Sequence, residues 1–127
     1  MAKMEHFALF TNNLEALKDF YVAAMGLTVI VDNSAAPTQG YFLADDDGVA
    51  LEIIARPAGV QGADTRYVCH VAFLVEDVAA TRAQLESRGL TFETDTVVDN
   101  EEMKTAFFRD PDGNRCQIVS RPRPLGR

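Results

Sequence analysis

No apolar run in the 127 residues approaches the roughly 20 needed to cross a bilayer, which excludes a helical membrane span. Cysteine is scarce: Cys69 and Cys116 are the only two, too few for a disulfide scaffold. Each is expected to be a reduced thiol acting as a small buried hydrophobe. Basic residues are outnumbered, 12 Lys and Arg against 19 Asp and Glu for a net charge of −7. No basic stripe is left to neutralise phosphates, so neither nucleic acid nor an anionic membrane is an expected partner. Histidine is as scarce as cysteine, with His6 and His70 alone. What is present is a 47% apolar share, enough to build a core without disulfides. Met1 to Glu5 lead straight into a strand-like segment rather than into the apolar centre of a signal peptide, which predicts a cytoplasmic protein.

The chain repeats itself. His6-Phe-Ala-Leu-Phe aligns with His70-Val-Ala-Phe-Leu at an offset of 64 residues, and Gly26-Leu27-Thr28 aligns with Gly89-Leu90-Thr91. Phe42-Leu-Ala-Asp45-Asp-Asp47-Gly48 matches Phe107-Phe-Arg-Asp110-Pro-Asp112-Gly113, and the match continues to Arg56-Pro57 and Arg121-Pro122 at an offset of 65. So long a match with so little drift marks a duplicated module.

Each copy predicts the same elements. An apolar strand opens it (5–11, then 67–75). A helix follows, capped by Asn12 or Asn13 and ended by Gly26 in the first copy, capped by Asp77 and ended by Gly89 in the second. Three strands complete the module, at 27–31, 40–44 and 49–55, then at 91–98, 104–109 and 114–120, with Asp-Gly hairpin turns between the last two. The fold class is therefore α+β, with tandem βαβββ modules at about 5–57 and 67–121 in a single domain. A loop at 58–66 joins them. The tail from Arg121, rich in Pro and Arg, cannot continue a strand.

Strand parity converges on four residues. Leu51 and Ile53 face one way in their strand and Glu52 the other; Cys116 and Ile118 face one way and Gln117 the other. Phe7, Leu9, Val71 and Phe73 would pack on the helices, leaving His6 and His70 on the opposite face beside Ala8 and Ala72. Each copy thus offers one imidazole and one carboxylate or amide. Two copies related by a pseudo-twofold would supply two nitrogens and two oxygens to a divalent ion with positions left open. His6, Glu52, His70 and Gln117 are the candidate metal ligands. Arg115, on the parity of Gln117, Lys104, which together with the acidic stretch Asn100-Glu101-Glu102 before it could form a lip, and Phe10 are candidate substrate contacts.

The His-x-Ala opening strand, the Tyr-x-x-x-Met-Gly-Leu helix end, Leu-Glu-Ile-Ile and the Arg-Asp-Pro-Asp-Gly-Asn-Arg hairpin together resemble the vicinal oxygen chelate superfamily. This is the group of glyoxalases, bleomycin-resistance proteins and extradiol dioxygenases. The resemblance covers about 5–121. It implies paired modules forming a cupped mixed sheet around a divalent metal, ligands from the first and last strands of each module, and a homodimer. The metal could be Zn, Ni, Co, Mn or Fe, and glutathione or another thiol could serve as co-substrate. The chemistry implied is chelation of two neighbouring oxygens of a small substrate, with stabilisation of an enolate or oxyanion.

The ligand set discriminates among the family's reactions. Glyoxalases I carry a glutamate in each closing strand, whereas an amide at Gln117 cannot accept a proton. Methylmalonyl-CoA-type epimerases resemble the same set with the modules exchanged. Extradiol dioxygenases are longer and use a further histidine. Fosfomycin thiol transferases take their carboxylate from the second module, and drug-sequestering members generally lack the ligands. The expectation is a metal-dependent glyoxalase-type lyase or isomerase with Glu52 as catalytic base. The alternative is a non-catalytic protein that binds a metal or small ligand such as a drug or antibiotic.

Overall fold

The computed structural model of the chain describes residues 1, 4–59 and 69–123. The chain falls into two compact units, Met1–Gly62 and Ala63–Arg127. The first unit holds β1 (His6–Thr11), α1 (Leu14–Met25), β2 (Thr28–Asp32), β3 (Gly40–Ala44) and β4 (Ala50–Ala55). The second holds β5 (Val71–Leu74), α2 (Val78–Ser87), β6 (Val98–Asp99), β7 (Lys104–Arg109) and β8 (Arg115–Ser120). Each unit has its own four-stranded sheet, ordered β1-β4-β3-β2 in one and β5-β8-β7-β6 in the other. Both sheets are mixed. The opening strand runs parallel to the closing one, and the remaining neighbours are antiparallel. A parallel pair needs a long crossover connection, which the helix and two middle strands provide. The architecture is α+β, with one βαβββ order used twice.

Local chemistry explains the boundaries. Asn13 Oδ1 accepts from the Ala16 N–H at 3.1 Å, and Asp77 Oδ1 accepts from the Ala80 N–H at 3.0 Å, so each helix starts on a capping side chain. In α1, Leu17 and Tyr21 lie one turn apart and are fully buried against β4 and β3. In α2 only Leu85 is buried, and Arg82 lies over the Phe92 ring at 4.9 Å. The two hairpins fold alike. Asp45 Oδ1 accepts from the N–H groups of Asp47 and Gly48, and Asp110 Oδ1 from those of Asp112 and Asn114. Gly48 and Gly113 occupy the left-handed region at φ 85° and 87°, where a Cβ is strained.

The core follows the strand alternation. Leu9, Leu43, Ile53 and Leu51 are buried in the first unit, and Phe92, Phe108, Cys116 and Ile118 in the second. Cys116 is the buried hydrophobe expected of it, whereas Cys69 is exposed because β5 begins only at Val71. A second expectation fails at 91–98, where only Val98–Asp99 is a strand and Phe92 forms an isolated bridge to Phe108. The Glu93 carboxylate accepts from Thr96 Oγ1 at 2.8 Å and from the Arg115 guanidinium, and the chain bends at 94–96. That local bonding competes with the β ladder. The expected strand start at Tyr67, most of the 58–66 joining loop and the end of the tail lie outside the described residues.

Candidate functional site

In both units the helix covers one face of the sheet, and the candidate ligands stand on the other. In the first unit, register pairs Glu52 with Ala8 on one side and Phe42 on the other. In the second it pairs Gln117 with Ala72 and Phe107. The histidines complete two matching sets: the His6 ring meets Phe42 edge to face with centroids 5.5 Å apart, and His70 meets Phe107 at 5.2 Å. Imidazole, alanine, phenyl ring and oxygen donor thus recur at equivalent positions. The small alanines leave room beside each oxygen donor.

The first unit brings its two donors together. His6 Nε2 stands 3.6 Å from Glu52 Oε1, with the side chains 37% and 23% exposed. His6 Nδ1 lies 2.8 Å from Glu5 Oε1. A carboxylate can only accept, so Nδ1 donates its proton to Glu5, and Nε2 is the ring nitrogen that faces Glu52. Two donors on one ion, each about 2.0–2.1 Å from it, stand roughly 3.0–3.4 Å apart for octahedral to tetrahedral angles. The observed separation lies just beyond that span. The donor chemistry of each unit also suits a borderline or hard divalent ion: an imidazole and a carboxylate in the first, an imidazole and an amide oxygen in the second, with the Cys116 thiol buried on the helix side. Among the described residues no group of three or more His, Cys, Asp or Glu side chains is placed to hold a metal ion.

The second unit is more tightly built. Gln117 Nε2 donates to Thr105 Oγ1 at 2.6 Å. Arg115, expected to reach substrate, donates to Glu93 through Nε at 2.9 Å and Nη2 at 3.0 Å. Its guanidinium lies 3.9 Å over the Phe107 ring, the ring that His70 meets edge-on. Arg115 is thus part of the wall behind His70, with its charge satisfied within the unit. Lys104 pairs with Ser120, putting it on the parity opposite to Thr105 and Phe107. It sits 3.8 Å from Asp99 at the border of a cleft of about 350 Å³, also lined by Glu76, Asn100, Met103 and Arg121. Lys104 is therefore not on the face of Gln117. Phe10 is on the His6 face and 45% exposed, and its carbonyl accepts from Arg56 Nη2 at 3.0 Å.

Three contributors escaped the reading of the sequence. Glu5 holds His6, Glu93 holds Arg115 and Thr105 holds Gln117. Thr105 left a usable signal, since it sits two residues before Phe107 in β7 and so shares its face.

Residues 3–118 match the family model of the Glyoxalase/Bleomycin resistance protein/Dioxygenase superfamily. The chain belongs to that superfamily. Among characterised relatives it is 25% identical over 122 residues to biphenyl-2,3-diol 1,2-dioxygenase 3 of Rhodococcus globerulus, covering 91% of this chain but only 62% of the dioxygenase. Among solved structures it is similar to the fosfomycin resistance protein FosX of Listeria monocytogenes, complexed with Mn(II) and sulfate. The TM-score is 0.77 at 16% identity, with 94% and 90% of the two chains covered. It is also similar to TnmS3, an antibiotic-binding protein of a Streptomyces species, with a TM-score of 0.68 at 21% identity over 95% and 97% of the chains.

Proposed function

We propose that the protein is a metal-dependent lyase or isomerase of glyoxalase type acting on a small substrate with two neighbouring oxygens. The observation that carries this reading is the His6–Glu52 pair, with Nε2 and Oε1 3.6 Å apart on a helix-free face, and its counterpart His70 and Gln117 at the repeat-equivalent positions. His6, Glu52, His70 and Gln117 would hold a divalent ion, whose Lewis acidity would polarise the paired oxygens. Glu52 is the one ligand able to take up a proton, and it abstracts the proton from the substrate carbon next to those oxygens. Glu5 keeps His6 in the tautomer that presents Nε2. Phe42 and Phe107 flank the oxygen donors and shield the reacting carbon from water.

The test is metal content by mass spectrometry of the purified protein, followed by loss of the hemithioacetal absorbance with methylglyoxal and glutathione. About one divalent ion per site with turnover on that or a related adduct is expected. A chain that takes up no divalent metal ends this reading. Metal uptake without turnover across such substrates supports the second one, a binding protein without chemistry, which the similarity to an antibiotic-binding fold favours.

The proposed assembly is a homodimer. All five residues of β2, an edge strand, are exposed, including Ile30 at 55% and Val31 at 42%, and uncovered edges invite pairing. The four ligands then come either from one chain or from both. Light scattering at micromolar concentration should return twice the chain mass; a monomer there counts against it.

A further inference from the structure

Gln117 is an unusual ligand, because an amide has one end that binds metal and one that does not. The oxygen has lone pairs; the NH₂ group has none to give. Which end faces outward is settled by Thr105. The Thr105 side chain is buried, and its hydroxyl donates to the Ile118 carbonyl at 2.9 Å. A hydroxyl has a single proton, so toward Gln117 the same oxygen can only accept. Only the NH₂ end of Gln117 can satisfy it, at 2.6 Å. Turned round, the amide would set its oxygen against the Thr105 lone pairs.

We infer that Thr105 is a positioning residue: it anchors the nitrogen of Gln117 and so directs the Gln117 oxygen outward as a fixed ligand. The same contact selects amide over carboxylate at this position, since a carboxylate has no proton to give Thr105. Among the described residues of the first unit, β3 offers no such anchor. The residue at the register of Thr105 is Gly40, and a Cβ there would stand 2.7 Å from the Ile53 carbonyl oxygen. No side chain fits, so nothing on β3 at that register holds Glu52. The duplicated halves therefore divide the work between an oxygen fastened in place and a carboxylate left able to swing between ligand and base. The ligand role rests on the metal reading above, but the orientation of Gln117 does not.

Two measurements on Thr105→Val and Thr105→Ser separate these. In metal-free protein, the two Gln117 side-chain amide protons should be well separated in a ¹H–¹⁵N spectrum. They should collapse toward free-glutamine shifts in Thr105→Val and recover in Thr105→Ser. Cobalt(II) titration, followed by its visible absorption, should show affinity about 10-fold weaker in Thr105→Val, the scale of losing a partner behind a ligand, and restored in Thr105→Ser. In a Gln117→Glu background the Thr105→Val loss should vanish. An equal loss in that background marks a general effect of the substitution and overturns the inference, as does an unchanged Gln117 spectrum in Thr105→Val. If the wild-type chain takes up no cobalt while the spectra behave as expected, the metal reading falls and the anchoring of Gln117 stands.

Discussion

Glu52→Gln is expected to weaken divalent-metal affinity by about 100-fold or more and to abolish proton-transfer turnover. Two neutral imidazoles, one carboxylate and one amide leave a divalent ion with a local charge of about +1, all of the compensation coming from Glu52. The substitution removes the only anion among the four ligands and the only one of them with an oxygen basic enough to receive a proton. It should leave the fold intact. The Glu52 side chain points away from the core, while its neighbours Leu51 and Ile53 supply the buried surface of β4. A stability change within about 0.5 kcal/mol is expected, as for other substitutions away from the core. Cobalt(II) titration and turnover of a hemithioacetal, both beside a thermal melt, check it. A Glu52→Gln variant with full affinity and full turnover would show that Glu52 is neither ligand nor base.

The largest expected effect on stability lies one residue from the site. Phe108 is completely buried, its ring 5.1 Å from that of Phe92, on the face of β7 that packs under α2. Truncation to Ala removes the ring from a close-packed layer and leaves a cavity, at a cost of about 3–5 kcal/mol. Against the roughly 5–15 kcal/mol of a typical domain that is a severe loss. Phe107, its neighbour in the strand, faces the other way, onto His70 and Arg115. Phe107→Leu should cost far less stability while disturbing the histidine. Urea unfolding of the two variants separates the roles; a Phe108→Ala midpoint close to wild type would mean that the core of the second unit lies elsewhere.

The duplication and the side-chain parity of the ligands were legible because both depend on short-range periodicity. An offset of 64 or 65 residues and a strand period of two suffice to put Glu52 and Gln117 on the face opposite Ile53 and Ile118. What escaped depends on partners distant in sequence or on details of register. Glu93 lies 22 residues before Arg115, and their ion pair helps bend the chain where a strand was expected. The link from Thr105 to Gln117 exists only because β7 and β8 pair with Phe107 opposite Gln117. Glu5 was missed for a different reason. Adjacent residues in a strand point apart, but β1 begins at His6, so the rule does not bind Glu5. The role of Arg115 could not be read from its parity, which was right, because parity does not reveal what a charge is paired with.

Ala8 and Ala72 lie beside the oxygen donors of the two closing strands. On strand propensity alone they are poor choices, and valine or isoleucine would suit a pleated sheet better. A programme that raised thermostability by filling strands with β-branched residues would reach these two positions early. It would be rewarded with a higher melting temperature while crowding Glu52 and Gln117. The two alanines thus mark where improvement of the scaffold and retention of the site pull in opposite directions.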